Sequence, residues 1–251
     1  MNDADDAYAN APYIPDGESY PSRWAAAAAA FRKAYPGEVV HYGPSPRQVC
    51  EFYAPDAPRG TLIFVHGGYW RMTDPSVWSH LAQGVLEAGW ACAMPGYDLC
   101  PQVRIAGITQ QVAQAVMTVA DRRAGPLVLA GHSAGGHLVA RMCAPGMLPE
   151  AVMDRVRRVV PISPLSDLAS LIKTSMNNDF RLDAGLAYAE SPRYQPAPKA
   201  PVEVWVGAAE RPVFLDHARW LAQAWGCKLD VVPDAHHYNI IDHLPRAVAR
   251  L

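Results

Sequence analysis

Two kinds of hydrophobic pattern alternate along the chain, short apolar runs and longer stretches of helical spacing. The central runs, TLIFV, LVLAG and RVVPIS, are continuously apolar, which is typical of strands covered on both faces of a parallel sheet. The strands predicted in this way are Glu38–Tyr42, Val49–Tyr53, Thr61–Val65, Trp90–Met94, Leu127–Ala130, Val156–Ile162, Val202–Val206 and Lys228–Val232.

The stretches between the strands have the spacing of amphipathic helices. An additional helix is indicated by Ala25–Ala30, which lies between Pro21-Ser22 and Pro36-Gly37. Strand and helix in regular alternation predict a doubly wound α/β fold. In the predicted helix Ile105–Arg123, the apolar residues of one face are Ile105, Ile108, Val112, Ala115, Val116 and Val119. The remaining predicted helices are Val77–Ala88, Ile105–Arg123, Ala134–Cys143, Phe214–Trp225 and Ile240–Arg250.

Residues 164–201 interrupt this alternation. They join SDLASLIKTSMNNDF to a proline-rich tract, SPRYQPAPKAP. Long insertions at the ligand-binding edge of a sheet are usually functional. We therefore expect a single domain, residues 1–251, in which residues 164–201 form a helical cover over the site.

The charge balance excludes a nucleic-acid binder. The 251 residues include 22 basic and 24 acidic side chains, and 18% of the chain is charged. No basic excess is present to neutralise phosphates. Half of the residues are apolar, which excludes a disordered chain.

The cysteines and the N-terminus bear on the compartment. Five cysteines are scattered, with no CxxC pair and no His/Cys cluster at zinc spacing, so we expect neither disulfides nor a metal site. The start, MNDADDAYAN, is acidic and lacks the pattern of a signal peptide. The longest apolar run, Ala25–Phe31, is too short to span a membrane. These features predict a soluble cytoplasmic protein without a membrane partner.

The strongest chemical signal is Gly131-His132-Ser133-Ala134-Gly135, which follows a predicted strand and opens a predicted helix. This G-x-S-x-G arrangement is the nucleophile elbow of α/β-hydrolases. The helix N-terminus brings free N–H groups to Ser133.

A second signal, His66-Gly67-Gly68-Tyr69-Trp70, directly follows the strand TLIFV. Backbone N–H groups of this loop, together with that of Ala134, could bind the oxyanion formed when a serine attacks a carbonyl. His66 itself is interpreted as a structural residue of the loop.

A general base is expected after the last strand, where His236 and His237 are adjacent. Spacing does not decide between them. We favour His237 because the sequence YNIIDHL begins directly after it. His236 would then be a loop residue near the pocket.

An acid is expected to orient the histidine. Glu210 lies four residues past the strand VEVWV and suits this role. Asp167, after ISPLS, is the alternative acid. Asp216 and Asp242 lie within helical patterns and are expected to be solvated.

Four aromatic residues fall in loops at the expected ligand-binding edge: Tyr69, Trp70, Tyr97 and Tyr238. We expect them to line a substrate pocket. The alternative for Trp70 and Tyr97 is packing in the core.

With these residues in view, the chain resembles the kynurenine formamidase (arylformamidase) branch of the α/β-hydrolase serine esterases. The shared features are HGGYW, GHSAGGHL, ISPLSDLASLIKTSMNNDFRLD, HHYNIID, Tyr8-Ala9-Asn10 and YGPSPRQ, which span nearly the whole chain. The resemblance implies an α/β-hydrolase fold with a mostly parallel eight-stranded sheet and helices on both faces.

The same resemblance implies roles for individual residues. It places the nucleophile at Ser133, the base at His237 and the acid at Glu210, where the family usually has Asp. His236 stands where the family more often has Asp or Asn. The oxyanion donors would be Gly67, Gly68 and Ala134.

The reaction implied by the resemblance is hydrolysis of N-formylkynurenine to kynurenine and formate, with a small-molecule substrate and no cofactor. A general carboxylesterase with the same machinery is one alternative. A catalytically silent binding protein that retains the fold is another.

Overall fold

The computed structural model describes residues 3–251, so the first two residues of the expected domain lie outside the described part. Its sheet runs in the order β1-β2-β4-β3-β5-β6-β7-β8. The strands are β1 (Glu38–His41), β2 (Val49–Tyr53), β3 (Thr61–Val65), β4 (Ala91–Pro95), β5 (Leu127–His132), β6 (Val156–Ile162), β7 (Glu203–Gly207) and β8 (Lys228–Val232).

Strand pairing is parallel from β4 through β3 to β8, whereas β1 pairs with β2, and β2 with β4, in antiparallel fashion. The predicted eight-stranded, mostly parallel sheet is therefore confirmed. All predicted strands are present. β3 and β5 are buried throughout, as their continuous apolar runs predict, whereas the edge strand β1 is largely exposed and the edge strand β8 is only partly buried.

Helices flank the sheet on both faces. The α-helices are α1 (Asp3–Tyr8), α2 (Tyr20–Ala34), α3 (Ala82–Glu87), α4 (Ile105–Arg122), α5 (Ala134–Arg141), α6 (Glu150–Met153), α7 (Asn177–Phe180), α8 (Ala184–Glu190) and α9 (Pro212–Trp225). The 3₁₀ helices are Ala11–Tyr13, Gly17–Ser19, Pro75–Val77, Ser79–Leu81, Leu168–Lys173, Pro192–Tyr194 and Ile240–Val248.

Two predicted helices differ from a regular α-helix. In the segment Val77–Ala88, 3₁₀ turns precede α3, and Asp74 caps the first turn by accepting a hydrogen bond from the Ser76 N–H at 2.9 Å. The segment Ile240–Arg250 is a 3₁₀ helix with Pro245 inside it. Proline has no N–H to donate and clashes with the preceding turn of an α-helix, which accounts for the second difference.

Alternate side chains of the central strands enter two hydrophobic cores. In β3, Ile63 and Val65 join the cluster of α4, α5 and α9, whereas Leu62 and Phe64 join the cluster of α2, α3 and the C-terminal 3₁₀ helix. This two-sided burial fixes the strand register, because a shift of one residue would exchange the two faces.

Residues 164–201 fold into short helices that pack against the first of these cores. Leu168, Leu171, Phe180 and Ala187 are buried there. Asp183 caps α8 by accepting a hydrogen bond from the Leu186 N–H at 2.8 Å. The segment is thus anchored by apolar burial on the side of α4, α5 and α9.

The carboxyl ends of the parallel strands meet at one edge of the sheet, and the loops that follow β3, β5, β7 and β8 emerge there. Within residues 3–251, no helix is both long enough and apolar enough to cross a membrane.

Candidate active site

Ser133 lies at the sharp turn between β5 and α5, with φ 55° and ψ −116°. This strained conformation is imposed by close packing on both sides. A Cβ on Gly131 would lie 2.2 Å from the Gly135 carbonyl oxygen, and one on Gly135 would lie 1.9 Å from the Val65 carbonyl oxygen. Only glycine fits at these two positions, so the G-x-S-x-G spacing is a packing requirement of the turn.

His237 and Glu210 form a buried pair behind the serine. The distance between His237 Nδ1 and Glu210 Oε2 is 2.7 Å, and the Glu210 side chain is fully buried. The other carboxylate oxygen, Oε1, accepts hydrogen bonds from Ser163 Oγ at 2.6 Å and from the Gly207 N–H at 2.7 Å. The buried carboxylate is thus well supplied with donors, and Phe214 packs 4.1 Å from the His237 ring.

This pairing determines which nitrogen of His237 can act as a base. A carboxylate only accepts hydrogen bonds, so Nδ1 carries the proton. The unprotonated nitrogen is then Nε2. His237 and Ser133 line the same cavity.

The other histidine, His236, is committed to different contacts. Its Nδ1 accepts from the backbone N–H groups of Tyr238 and Asn239 at 3.2 and 3.3 Å. Its Nε2 therefore carries the proton and donates to the Tyr20 hydroxyl at 3.2 Å. The structure gives a carboxylate partner to His237 and not to His236.

The alternative acid, Asp167, lies in different surroundings. Its carboxylate bonds Arg193 at 3.3 Å and the Tyr194 hydroxyl at 2.8 Å, and it caps the helix Leu168–Lys173. Asp216 pairs with Arg219 on the surface, as expected for a solvated residue. Asp242 is also exposed, as expected, although desolvation by its neighbours raises the pKa of its carboxyl. Glu210 is the acid that the fold brings to His237.

The loop His66–Trp70 approaches the serine from the end of β3. A Cβ on Gly67 would lie 3.2 Å from Ser133 Cβ and 2.9 Å from the His132 carbonyl oxygen, so this backbone is adjacent to the elbow. Gly68 has φ 109°, a conformation that favours glycine. Ala134 is the first residue of α5, where the N–H has no acceptor within the helix. Gly67 and Gly68 thus lie in the loop beside the elbow, and Ala134 directly follows Ser133.

A cavity of about 150 Å³ opens against Ser133. Ser133, His132 and His237 form one side of it. None of its described lining residues carries a carboxylate, an ammonium or a guanidinium group. The opposite side is aromatic and apolar, formed chiefly by Pro21, Trp24, Tyr69, Met72, Trp78 and Tyr238.

Of the four aromatic residues predicted to line the pocket, Tyr69 and Tyr238 do so. Trp70 does not, because its indole is buried edge-on between His137 at 5.1 Å and Phe180 at 5.6 Å. Tyr97 does not either. It is fully buried, stacked on the His66 ring at a centroid distance of 4.3 Å. Both residues are core packing, the alternative considered from the sequence.

Burial keeps the neighbouring histidines neutral. It lowers the pKa of His66 to about 4 and the pKa of His132 well below its usual value. The His132 ring lies 4.6 Å from the His237 ring, and this proximity further lowers the pKa of His132. A neutral His132 places no positive charge beside the base.

Comparison with known proteins identifies the fold family of the chain. A family described as having the alpha/beta hydrolase fold matches residues 62–239 of the chain. The chain belongs to the α/β-hydrolase family.

Within the family, this hydrolase is similar to the kynurenine formamidase of Salmo salar, at 27% identity over 82% of this chain and 76% of the relative. A crystal structure from Silicibacter sp. TM1040, provisionally described as a thioesterase, superposes with a TM-score of 0.96 at 51% identity, over 100% of this chain and 97% of that one. Thermogutta terrifontis esterase 2 shares the fold, with a TM-score of 0.64 at 19% identity over 81% and 85% of the chains. The predicted kynurenine formamidase-like resemblance is confirmed.

The sequence prediction missed one wall of this hydrolase's cavity. Asn10, Pro21 and Trp24 line it, whereas residues 164–201, the expected cover, contribute none of its described lining residues. Asn10 Nδ2 donates to the Tyr69 hydroxyl at 3.1 Å, and that hydroxyl donates to the Tyr8 carbonyl at 2.9 Å. The shared Tyr8-Ala9-Asn10 motif was the one feature of the sequence that pointed to a role for this N-terminal segment.

The chain also offers little for metal binding. Across residues 3–251, the structure places no three His, Cys, Asp or Glu side chains together as a metal-ion site would require. The chemistry available at this site is that of a serine, a histidine and a carboxylate.

Proposed function

We propose that this α/β-hydrolase is an arylformamidase that converts N-formylkynurenine to kynurenine and formate, with Ser133, His237 and Glu210 as its catalytic triad. One observation carries the proposal. His237, held at 2.7 Å by the buried Glu210, opens onto the same cavity as Ser133. The similarity to a kynurenine formamidase supports the choice of a formamide.

The first half of the reaction forms a formyl-enzyme. His237 Nε2 takes the proton from Ser133 Oγ as that oxygen attacks the formyl carbon. Negative charge then develops on the former carbonyl oxygen. The N–H groups of Gly67, Gly68 and Ala134 stabilise that charge, and losing one such donor typically costs about 2.7–4 kcal/mol of barrier.

Collapse of the tetrahedral intermediate breaks the carbon–nitrogen bond. The imidazolium of His237, stabilised by the Glu210 carboxylate, gives its proton to the leaving aryl amine. Water then attacks the formyl ester, with His237 again accepting a proton, and formate leaves. Ser133 Oγ recovers its proton from His237, so the cycle consumes only substrate and water.

The shape and chemistry of the cavity suit an aryl leaving group. A formyl group has no alkyl chain and needs little space on the acyl side. The rings of Trp24, Trp78 and Tyr238 offer faces and edges for an aromatic ring. The uncharged lining also fits short aryl esters, which makes a general carboxylesterase the second candidate function.

A paired assay tests the proposal. The rates of hydrolysis of N-formylkynurenine and of phenyl acetate would be measured on the same enzyme preparation. We expect turnover of both, with the higher kcat/KM on the formamide. If phenyl acetate were hydrolysed and N-formylkynurenine were not, the arylformamidase would be overturned and the general carboxylesterase would remain as the function.

Labelling with a fluorophosphonate probe separates both enzymes from a silent binding protein. We expect labelling at Ser133 that is lost in Ser133→Ala. Failure of the intact protein to react would favour the binding protein. A cytoplasmic location stays a prediction from the sequence.

A further inference from the structure

The loop that carries the candidate oxyanion donors is itself held by side chains that the mechanism does not use. Peptide groups are planar and trans, so the C=O of one residue and the N–H of the next point in opposite directions. A hydrogen bond that fixes the His66 carbonyl therefore also fixes the direction of the Gly67 N–H. In the same way, a hydrogen bond to the Gly67 carbonyl fixes the direction of the Gly68 N–H.

The first of these carbonyls is held by Tyr97. Its hydroxyl donates to the His66 carbonyl oxygen at 2.8 Å. The Tyr97 ring also stacks on the His66 ring, with an interplanar angle of 12°. Burial raises the pKa of Tyr97, so its hydroxyl keeps the proton that it donates.

The second carbonyl is held by Thr73. Its Oγ1 donates to the Gly67 carbonyl oxygen at 2.9 Å. His66 Nδ1 lies 2.8 Å from the same oxygen and must donate as well, because a carbonyl only accepts. Trp78 Nε1 donates to Thr73 Oγ1 at 3.4 Å, which orients the hydroxyl.

Local backbone geometry keeps Thr73 in place. The Gly68 carbonyl accepts from the Arg71 and Met72 N–H groups at 2.9 and 3.0 Å, which closes a tight turn. Thr73 has φ 69°, and a Cβ on Gly68 would lie 2.9 Å from Thr73 Oγ1. The threonine hydroxyl is thus packed directly against the peptide that it holds.

We propose that Thr73 and Tyr97 are positioning residues of the oxyanion hole, which fix the Gly67–Gly68 and His66–Gly67 peptides so that their N–H groups face the oxyanion formed at Ser133. This inference rests on the proposed function, because it requires Ser133 to be the nucleophile. Thr73 and Gly68 line the same cavity as Ser133, so the Gly67–Gly68 peptide and the threonine that holds it lie next to the proposed nucleophile.

The test removes each hydroxyl with the smallest change in shape. Thr73→Val and Tyr97→Phe would be compared with the wild type on N-formylkynurenine and on phenyl acetate. Loss of a whole oxyanion donor typically lowers kcat by about 10²–10³-fold, and misalignment should cost less. We expect kcat to fall about tenfold or more in each variant, with KM nearly unchanged, because the donors act on the transition state.

A second readout isolates the oxyanion. An aryl trifluoromethyl ketone forms a hemiketal with the serine, whose oxygen carries the same charge as the intermediate. Its affinity should fall by the same factor as kcat. Thr73→Ser keeps a hydroxyl and should restore most of both values.

Matched controls use the same substitutions away from the loop. Thr118→Val removes a hydroxyl that bonds the Gln114 carbonyl within α4. Tyr53→Phe removes a buried hydroxyl that bonds Glu51 at 2.7 Å. Both controls should retain wild-type kcat, and thermal unfolding would confirm that all variants fold.

The outcomes separate the two proposals. Wild-type kcat and inhibitor affinity in folded Thr73→Val and Tyr97→Phe would overturn the positioning role while leaving the triad intact. Turnover of phenyl acetate but not of the formamide would overturn the substrate assignment, and the ester data would still decide the positioning role. No turnover of either substrate by the wild type would overturn both proposals.

Discussion

The two walls of the cavity are built in different ways. Ser133 and His237 are nearly fully buried, and they follow β5 in the middle of the sheet and β8 at its edge. The facing wall, here called the N-terminal wall, includes Asn10, Pro21 and Trp24, of which Pro21 is exposed and Trp24 is only partly buried. That wall is attached largely by ring contacts, such as Trp24 to Trp78 at 4.7 Å.

The difference separates two tasks. Groups that transfer protons or form bonds with the substrate must be held in a narrow range of geometry, and the sheet supplies that rigidity. Groups that select the substrate need shape more than alignment. We therefore expect changes in the strand-end wall to lower kcat, and changes in the N-terminal wall to alter KM and substrate preference.

The largest effect is expected from Ser133→Ala. Removing the nucleophile should lower kcat by on the order of 10⁴-fold or more. The fold should be retained, since alanine keeps the Cβ and the substitution removes a single oxygen atom. Rates on N-formylkynurenine, measured beside thermal unfolding, would check both points. Substantial residual turnover would show that another group supplies the nucleophile.

The next largest effect is expected from Glu210→Gln. The amide keeps the shape of the side chain but can stabilise the wrong tautomer of His237, which in a serine triad costs about 10⁴-fold in kcat. Asp167→Asn is the matched control and should leave kcat unchanged, since Asp167 contacts Arg193 and Tyr194 instead. Similar losses in the two variants would contradict the assignment of the acid.

A change in the N-terminal wall should alter which substrates the enzyme prefers. Trp24→Ala removes an indole from the cavity lining, so acetate esters whose aryl ring carries one or two extra methylenes should gain in kcat/KM relative to phenyl acetate, by about tenfold. The control is Tyr35→Ala, an exposed aromatic position just after the same helix. Equal profiles for Trp24→Ala and the wild type would remove this wall from substrate selection.

The smallest effect is expected from His236→Ala. It loses the hydrogen bond to Tyr20 and loosens the contact between the two walls, so KM should rise by a few-fold, as for the loss of one hydrogen bond of about 1 kcal/mol. The value of kcat should be nearly unchanged. A loss of kcat as large as that of His237→Ala would show that His236 takes part in proton transfer.

The strand-end wall was largely predictable from the sequence. Its signals are local, since an apolar run, a G-x-S-x-G turn and a His-Gly-Gly loop each lie within a few residues. The contact between Glu210 and His237 joins residues 27 positions apart. Parallel strands make that contact possible, because their carboxyl ends share one edge.

The N-terminal wall was not predictable in the same way. No periodicity in the sequence says that Trp24 packs against Trp78, since that contact depends on how α2 docks on the finished sheet. For Trp70 and Tyr97, the sequence likewise did not decide between the pocket and the core. Tyr69 and Trp70 both have φ 54°, and adjacent residues in the left-handed region turn the chain in a way that composition does not reveal.

The acid's hydrogen bonds constrain how its identity can change over evolutionary time. The carboxylate of Glu210 folds back to the Gly207 N–H while also reaching His237, and Ser163 from a third strand end braces it. An aspartate at this position, one methylene shorter, could not keep all three partners in the present backbone. We therefore expect Glu210→Asp to need a coordinated change in the β7 loop to restore them.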